Sequence, residues 1–165
     1  MGSNETKTVA DFLIADFENE MQTTLRVIQA VPSGHLDYRP DSKSKTALGL
    51  VRHITLEDEW LLNCIAKGEF TPPPDDSDAC GIMNPADAAA RYKEKIPAAL
   101  GRVRAVPGEK LANVIDLLGM IQMPAINFLA MAAKHSVHHR GQLSTYLRPM
   151  GGMIPGIHGP SADTQ

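Results

Sequence analysis

Three of the six histidines in this chain, His135, His138 and His139, fall within five consecutive residues. Apolar residues recur around them at helical spacing. At 100° per residue, His135 and His139 stand about 40° apart around a helix axis and one turn apart along it. Both rings can therefore converge on one point, which is the geometry of a two-point metal clamp. Phe128 and Met131 precede the pair on the same stripe, and Gln142 and Tyr146 follow it, so the pair faces inward. Two inward imidazoles are costly to bury unless each finds a partner, and one divalent cation satisfies a nitrogen of both. His138 flanks the pair at the opposite angle from His139 and is held in reserve as a substitute ligand.

A third ligand must come from another element. His53 lies on a helical face with Leu50, Leu56 and Trp60. Packed helices sit about 8–10 Å apart, a gap that facing imidazoles can span to one ion. Taken alone, His53 would be a core histidine donating to a backbone carbonyl; facing the clamp, it is the natural third ligand. Glu57, one turn on, can hold a ligand's second nitrogen, join the ligands or accept a proton from bound water, against the plainer reading of a surface acid in the run Glu57-Asp58-Glu59. Gln142 is a candidate for orienting a ligand. Arg140 points away from the stripe and defaults to packing or a surface ion pair. Cys64, about 16 Å along the axis from His53, is core filling. His158, in the tail, is not counted as a ligand.

Four long helices must position these residues. Apolar steps of three and four predict a first helix over Thr8 to Val31, with Thr8 and Asp11 resembling a capping box and Pro32-Ser33-Gly34 ending it. The second runs from about Thr46 to Lys67, capped by Ser44 or Thr46 and stopped by Gly68. Asn84-Pro85-Ala86-Asp87 opens a third that continues to about Arg104, with Pro97 expected to kink it or end it early. The fourth extends from Pro124 to Leu147. The loop from Gly34 to Lys45, the Pro-rich stretch from Thr71 to Asp78 and the segment from Val106 to Met120 are expected to be irregular. These elements predict an all-α four-helix bundle, one domain over residues 1–165, with neighbours mainly antiparallel or in a crossover order and a Gly/Pro-rich tail from Gly151 that folds over the bundle end or stays loose.

Composition narrows the partners. With 16 Lys and Arg against 19 Asp and Glu, the formal net charge is −3, and no basic block exists to neutralise a run of phosphates, so no nucleic-acid partner is expected. The longest uncharged stretch, Leu117 to Ala133, is interrupted by Gln122, Pro124 and Asn127 and falls short of the roughly 20 residues a membrane span needs. It is expected to be a buried helix and its approach, with no membrane partner. The two cysteines, Cys64 and Cys80, form no zinc or disulfide spacing and point to reduced thiols in the cytoplasm. The N-terminus lacks the pattern of a secretory signal.

His135-Ser136-Val137-His138-His139-Arg140-Gly141-Gln142-Leu143, with Tyr146-Leu147-Arg148 after it, His53-Ile54, Leu36-Asp37-Tyr38-Arg39-Pro40 and the Glu18 to Thr24 segment together resemble the DinB/YfiT-like metalloenzymes over nearly the whole chain. The resemblance implies a four-helix bundle, a homodimer, and one divalent metal held by His53, His135 and His139. It also implies a small-molecule substrate and, by analogy with thiol-dependent S-transferases and a thiol-dependent maleylpyruvate isomerase in that family, activation of a low-molecular-weight thiol. Three imidazoles leave at least one coordination position for a thiol or a water. Thiol transfer is the preferred expectation, hydrolysis by metal-activated water the runner-up, and a non-catalytic metal staple in a stress-related protein the third. Imidazole donors suit several metals, and zinc or nickel is expected.

Overall fold

The first helix begins earlier than its apolar stripe suggests. A computed structural model, which describes residues 2–164, forms α1 over Ser3–Gln29. Thr8 is not its cap: the Thr8 hydroxyl donates to the Asn4 carbonyl at 3.0 Å from inside the helix. The true start is secured by Glu5, whose Oε2 accepts the Gly2 backbone N–H at 2.9 Å and places an acid at the positive end of the helix dipole.

The second helix, α2, spans Ala47–Lys67 with Thr46 as its cap, the Thr46 hydroxyl accepting the Gly49 N–H at 3.0 Å. Gly68 ends it at φ 82°, a left-handed conformation that glycine adopts without steric cost. The third, α3, spans Pro85–Arg104; Asn84 Oδ1 accepts the Asp87 N–H at 2.9 Å, and Pro85 occupies a position where its missing N–H costs nothing. Pro97 does not end this helix early. It lies on the exposed side, so the carbonyl four residues back that loses its partner, that of Lys93, faces water.

The segment expected to be irregular holds structure. A single helical turn, α4, covers Gly108–Leu111, and β1 (Val114–Leu117) pairs antiparallel with β2 (Ile121–Pro124), Leu117 opposite Ile121. Four-residue strands leave too short a pattern to recognise, and such a hairpin is marginal by itself. Here Asp116 ties it: its carboxylate accepts the Gly119 N–H at 2.6 Å and the Gln122 side-chain amide at 2.9 Å. The Asn113 carbonyl accepts the Ala125 N–H at 2.9 Å, and Ile115 is buried in the core. The expected approach to the buried helix, from Leu117, is therefore the hairpin, and the fourth long helix, α5, occupies Ala125–Leu147. Gly108 allows α4 to rest on α1, because a Cβ there would lie 2.0 Å from the Ser3 carbonyl oxygen.

Packing follows a crossover order. α1 and α2 each pack against both α3 and α5, so the consecutive helices α1 and α2 sit on a diagonal instead of side by side. Between them lies one apolar cluster that includes Phe17, Ile54, Leu62, Tyr92, Leu100 and Phe128. The Pro-rich connection is irregular but pinned: buried Arg52 donates to the Ile82 carbonyl and to Asp78 Oδ1, both at 2.7 Å. The tail folds back, with Asp163 accepting from Arg148 and from the Ile154 N–H. No helix among the described residues is long and apolar enough to cross a membrane.

Candidate metal centre

Helix α2 carries His53 and α5 carries His135 and His139, and the packing of α2 on α5 brings the three rings together. One nitrogen from each lies within 4.8 Å of the others. The Nε2 atoms of His53 and His139 stand 3.1 Å apart. Two lone pairs that close repel unless a proton or a cation lies between them. Metal–imidazole bonds of about 2.0–2.1 Å in a tetrahedral sphere separate donor nitrogens by roughly 3.3 Å, so the spacing suits a small divalent ion.

One ring is held from behind and a second has a carboxylate near it. His139 Nδ1 lies 2.7 Å from Gln142 Oε1; because the amide oxygen only accepts, the proton sits on Nδ1 and Nε2 keeps a lone pair with which to ligate an ion. Behind His135 stands Asp58, fully buried, with Oδ1 3.7 Å from His135 Nδ1. Both of these atoms are buried without a hydrogen-bond partner. Each is the natural partner of the other, and cation binding at Nε2 would direct the Nδ1 proton at Asp58. This orphaned pair fits a carboxylate–histidine–metal arrangement, and it is the strongest physical sign that the cluster is built for an ion.

Nothing in the run Glu57-Asp58-Glu59 singles out Asp58 as a buried acid. In the structure its Oδ2 accepts from Tyr92 Oη at 2.8 Å and from Ser136 Oγ at 2.7 Å, which joins α2, α3 and α5 behind the cluster. Burial, followed by the nearby Asp58 charge, raises the Tyr92 phenol well above its usual range, so it stays a donor. A signal existed: Asp58 falls in the buried spacing Ile54, Asp58, Leu61, Leu62, Ile65.

Glu57, the expected catalytic acid or base, is half-buried and borders the same cavity as His135. Burial raises its carboxyl above the ordinary carboxylate range. Arg140 is not on the surface: at 1 % exposure it pairs with Glu20 of α1 and donates to His158 Nε2 at 3.3 Å, anchoring the tail. His158 is thereby placed with Arg140, outside the three-histidine group. His138 is exposed, its ring packed on that of His139, and it too lies outside the group. Cys64 is buried, with Sγ 3.8 Å from Thr71 Oγ1.

Burial pushes His53 down to about 4, and the neighbouring His139 and His135 add to the shift. Burial also lowers His139, against the opposing bond to Gln142. Both effects hold the imidazoles neutral, the form that binds metal. Since a histidine in the unfolded chain titrates near 6.5, the unfolded state binds more protons than the folded state between about pH 6.5 and 4. The metal-free protein is therefore expected to lose thermal stability as pH falls through that window. Melting temperatures across it should flatten for His53→Ala; an unchanged slope would mean that His53 is not desolvated as described.

A family model described as the DinB family matches residues 3–164. The uncharacterised Bacillus subtilis protein YjoA is 27% identical over 142 residues, 84% of this chain and 89% of the relative. Its crystal structure superposes with a TM-score of 0.67 over 86% of this chain and 92% of that one. YfiT from Bacillus subtilis, described as a probable metal-dependent hydrolase with an unusual four-helix bundle topology, is 15% identical with a TM-score of 0.67, covering 86% and 87% of the two chains. A mutant of the mycothiol-dependent maleylpyruvate isomerase is 15% identical with a TM-score of 0.56, covering 87% of this chain and 61% of that one.

Proposed function

Since this chain belongs to the DinB family, we propose that it is a divalent-metal-dependent enzyme that joins a small thiol to an electrophile. The observation that carries the metal is the three-histidine group backed by Gln142 and Asp58. His53, His135 and His139 would hold the ion, zinc or nickel being the metals proposed. A bound divalent cation would supply Lewis acidity, lowering the pKa of a thiol or water that reaches its open position. Among the described residues the group offers three candidate donors, which favours a reactive site over a closed four-ligand structural one.

The remaining chemistry falls to side chains. Glu57, raised by burial and bordering the cavity beside His135, takes the S–H proton. As the sulfur forms its C–S bond, the bond from carbon to the leaving group breaks, and Glu57 returns the proton to that group. Gln142 keeps His139 in its ligand tautomer, and Asp58 would accept the His135 Nδ1 proton once the ion is held. The proposed setting is a cytoplasmic homodimer acting on small molecules. The thiol preference rests on the family's thiol-dependent members, including the isomerase of the same fold. The second reading, hydrolysis with water in the thiol's place, is favoured by the description of YfiT.

The test is consumption of a small thiol together with a model electrophile such as monochlorobimane, by protein loaded with zinc or nickel. Metal-dependent turnover is expected with at least one common cellular thiol. No turnover across a thiol panel, with release of acid from an ester panel instead, would give the hydrolytic reading precedence. Glu57→Gln is expected to cut turnover by about 10²–10⁴-fold with unchanged metal content; undiminished turnover would remove Glu57 from the reaction.

A further inference from the structure

Beside the three-histidine group lies a cavity of about 260 Å³ that nothing in the metal chemistry requires. His135 and Glu57 are the ionisable residues in its lining; the rest of the wall is largely apolar and includes Trp60, Met131 and the hairpin tip at Leu118 and Met120. That tip is shaped at a cost. Leu118 is the one non-glycine residue with positive φ, at 53°, among the described residues, a conformation that crowds an L side chain. Leu118 and Met120 are also 45 % and 70 % exposed, an unfavourable place for large apolar groups unless something covers them. The tight turn closed by the Met120 N–H on the Leu117 carbonyl sets these two exposed hydrophobic side chains in the wall of the cavity, and that placement points to a ligand-facing role.

The cavity's size and its continuity with the histidine group decide what that ligand is. Its volume equals roughly that of nine water molecules, small for a whole drug-sized ligand yet enough for one ring or a short branched chain. Among the described residues no lysine or arginine borders it to meet an anion. We propose that the cavity and hairpin tip form the pocket for a compact, uncharged hydrophobic part, an aryl ring or short alkyl group, of the electrophilic substrate. This assignment rests on the proposed metal reading for the position of the reacting carbon, but the pocket itself is a property of the chain. Leu118 and Met120 are then specificity-determining residues, selecting ring-bearing electrophiles over small polar ones.

Two probes test it on the full-length, metal-loaded protein. Benzohydroxamate and acetohydroxamate chelate a metal through the same group and differ in the ring, so the ratio of their affinities by calorimetry measures the cavity. Benzohydroxamate is expected to bind at least about tenfold more tightly, from burial of the ring. Leu118→Gly, which relieves the positive φ, should keep or raise the melting temperature and metal content yet reduce that ratio at least about threefold. Met120→Asp should bring it near unity. Equal affinities in the parent protein, or an unchanged ratio in both variants, would overturn the proposal. So would a change from dimer to monomer on Met120→Asp with the ratio intact, which would assign the patch to a second copy.

Trp60 is the sole tryptophan, so its emission reports on the cavity without metal. Benzyl alcohol should shift it in His139→Ala as well as in the parent. The shift should survive Ala66→Phe, which fills the separate groove that also borders Trp60; loss of the shift there would place the probe in that groove and overturn the assignment. A shift with benzyl alcohol in a parent protein that takes up neither zinc nor nickel would sink the metal reading and leave the pocket standing. Bound metal with neither probe responding to the ring would do the reverse.

Discussion

Asp58→Ala is expected to destabilise the protein by about 3–5 kcal/mol, the range for removing one member of a buried, charged hydrogen-bonded group. Fully buried Asp58 takes hydrogen bonds from Tyr92 and Ser136, so its loss leaves two hydroxyls without an acceptor between α2, α3 and α5. Asp58→Asn separates structure from metal binding. The amide retains an oxygen for the two hydroxyls but brings no negative charge to the His135 Nδ1 proton, so affinity for zinc or nickel should fall by about 10–100-fold. Denaturant midpoints measure the first effect, and chelator competition measures the second. Full metal affinity in Asp58→Asn would show that the 3.7 Å approach of Asp58 to His135 has no bearing on the ion.

His53→Ala, His135→Ala and His139→Ala should each lower bound metal to less than about one-tenth of the parent, because two imidazoles hold a divalent ion far more weakly than three. The three rings are only partly buried, and the apolar cluster lies between the helices around them, so helical content should persist. Elemental analysis of purified variants, alongside circular dichroism, measures both effects. Near-stoichiometric metal in any of the three would remove that residue from the ligand set. His138→Ala, changing an exposed ring outside the group, serves as the control and should retain metal.

The residues that face the cluster directly were legible in the chain. Spacing on one helix aligned His135 with His139, and inward periodicity joined them to His53 across a helix gap; the structure places those three together. Gln142 followed from the same stripe and meets His139. Asp58 was hidden by its neighbours, because an acid between Glu57 and Glu59 resembles a solvated run until the stripe through Ile54 and Leu61 is given more weight than charge. Arg140 makes the ion pair that was one of its two expected roles, but in the interior. Angular position locates it away from the histidines, but that direction leads into α1 and Glu20, not into solvent. The order α1–α3–α2–α5 around the bundle and the hairpin over the cavity depend on contacts between distant segments, which local periodicity does not encode.

X-ray absorption spectroscopy at the metal edge of the zinc- or nickel-loaded protein gives the most direct reading of the centre. Three imidazole nitrogens at about 2.0–2.1 Å, plus at least one light donor that an added thiol replaces with sulfur near 2.3 Å, is the expected result. A coordination sphere with fewer than three imidazoles, or one that a thiol cannot enter, would contradict it.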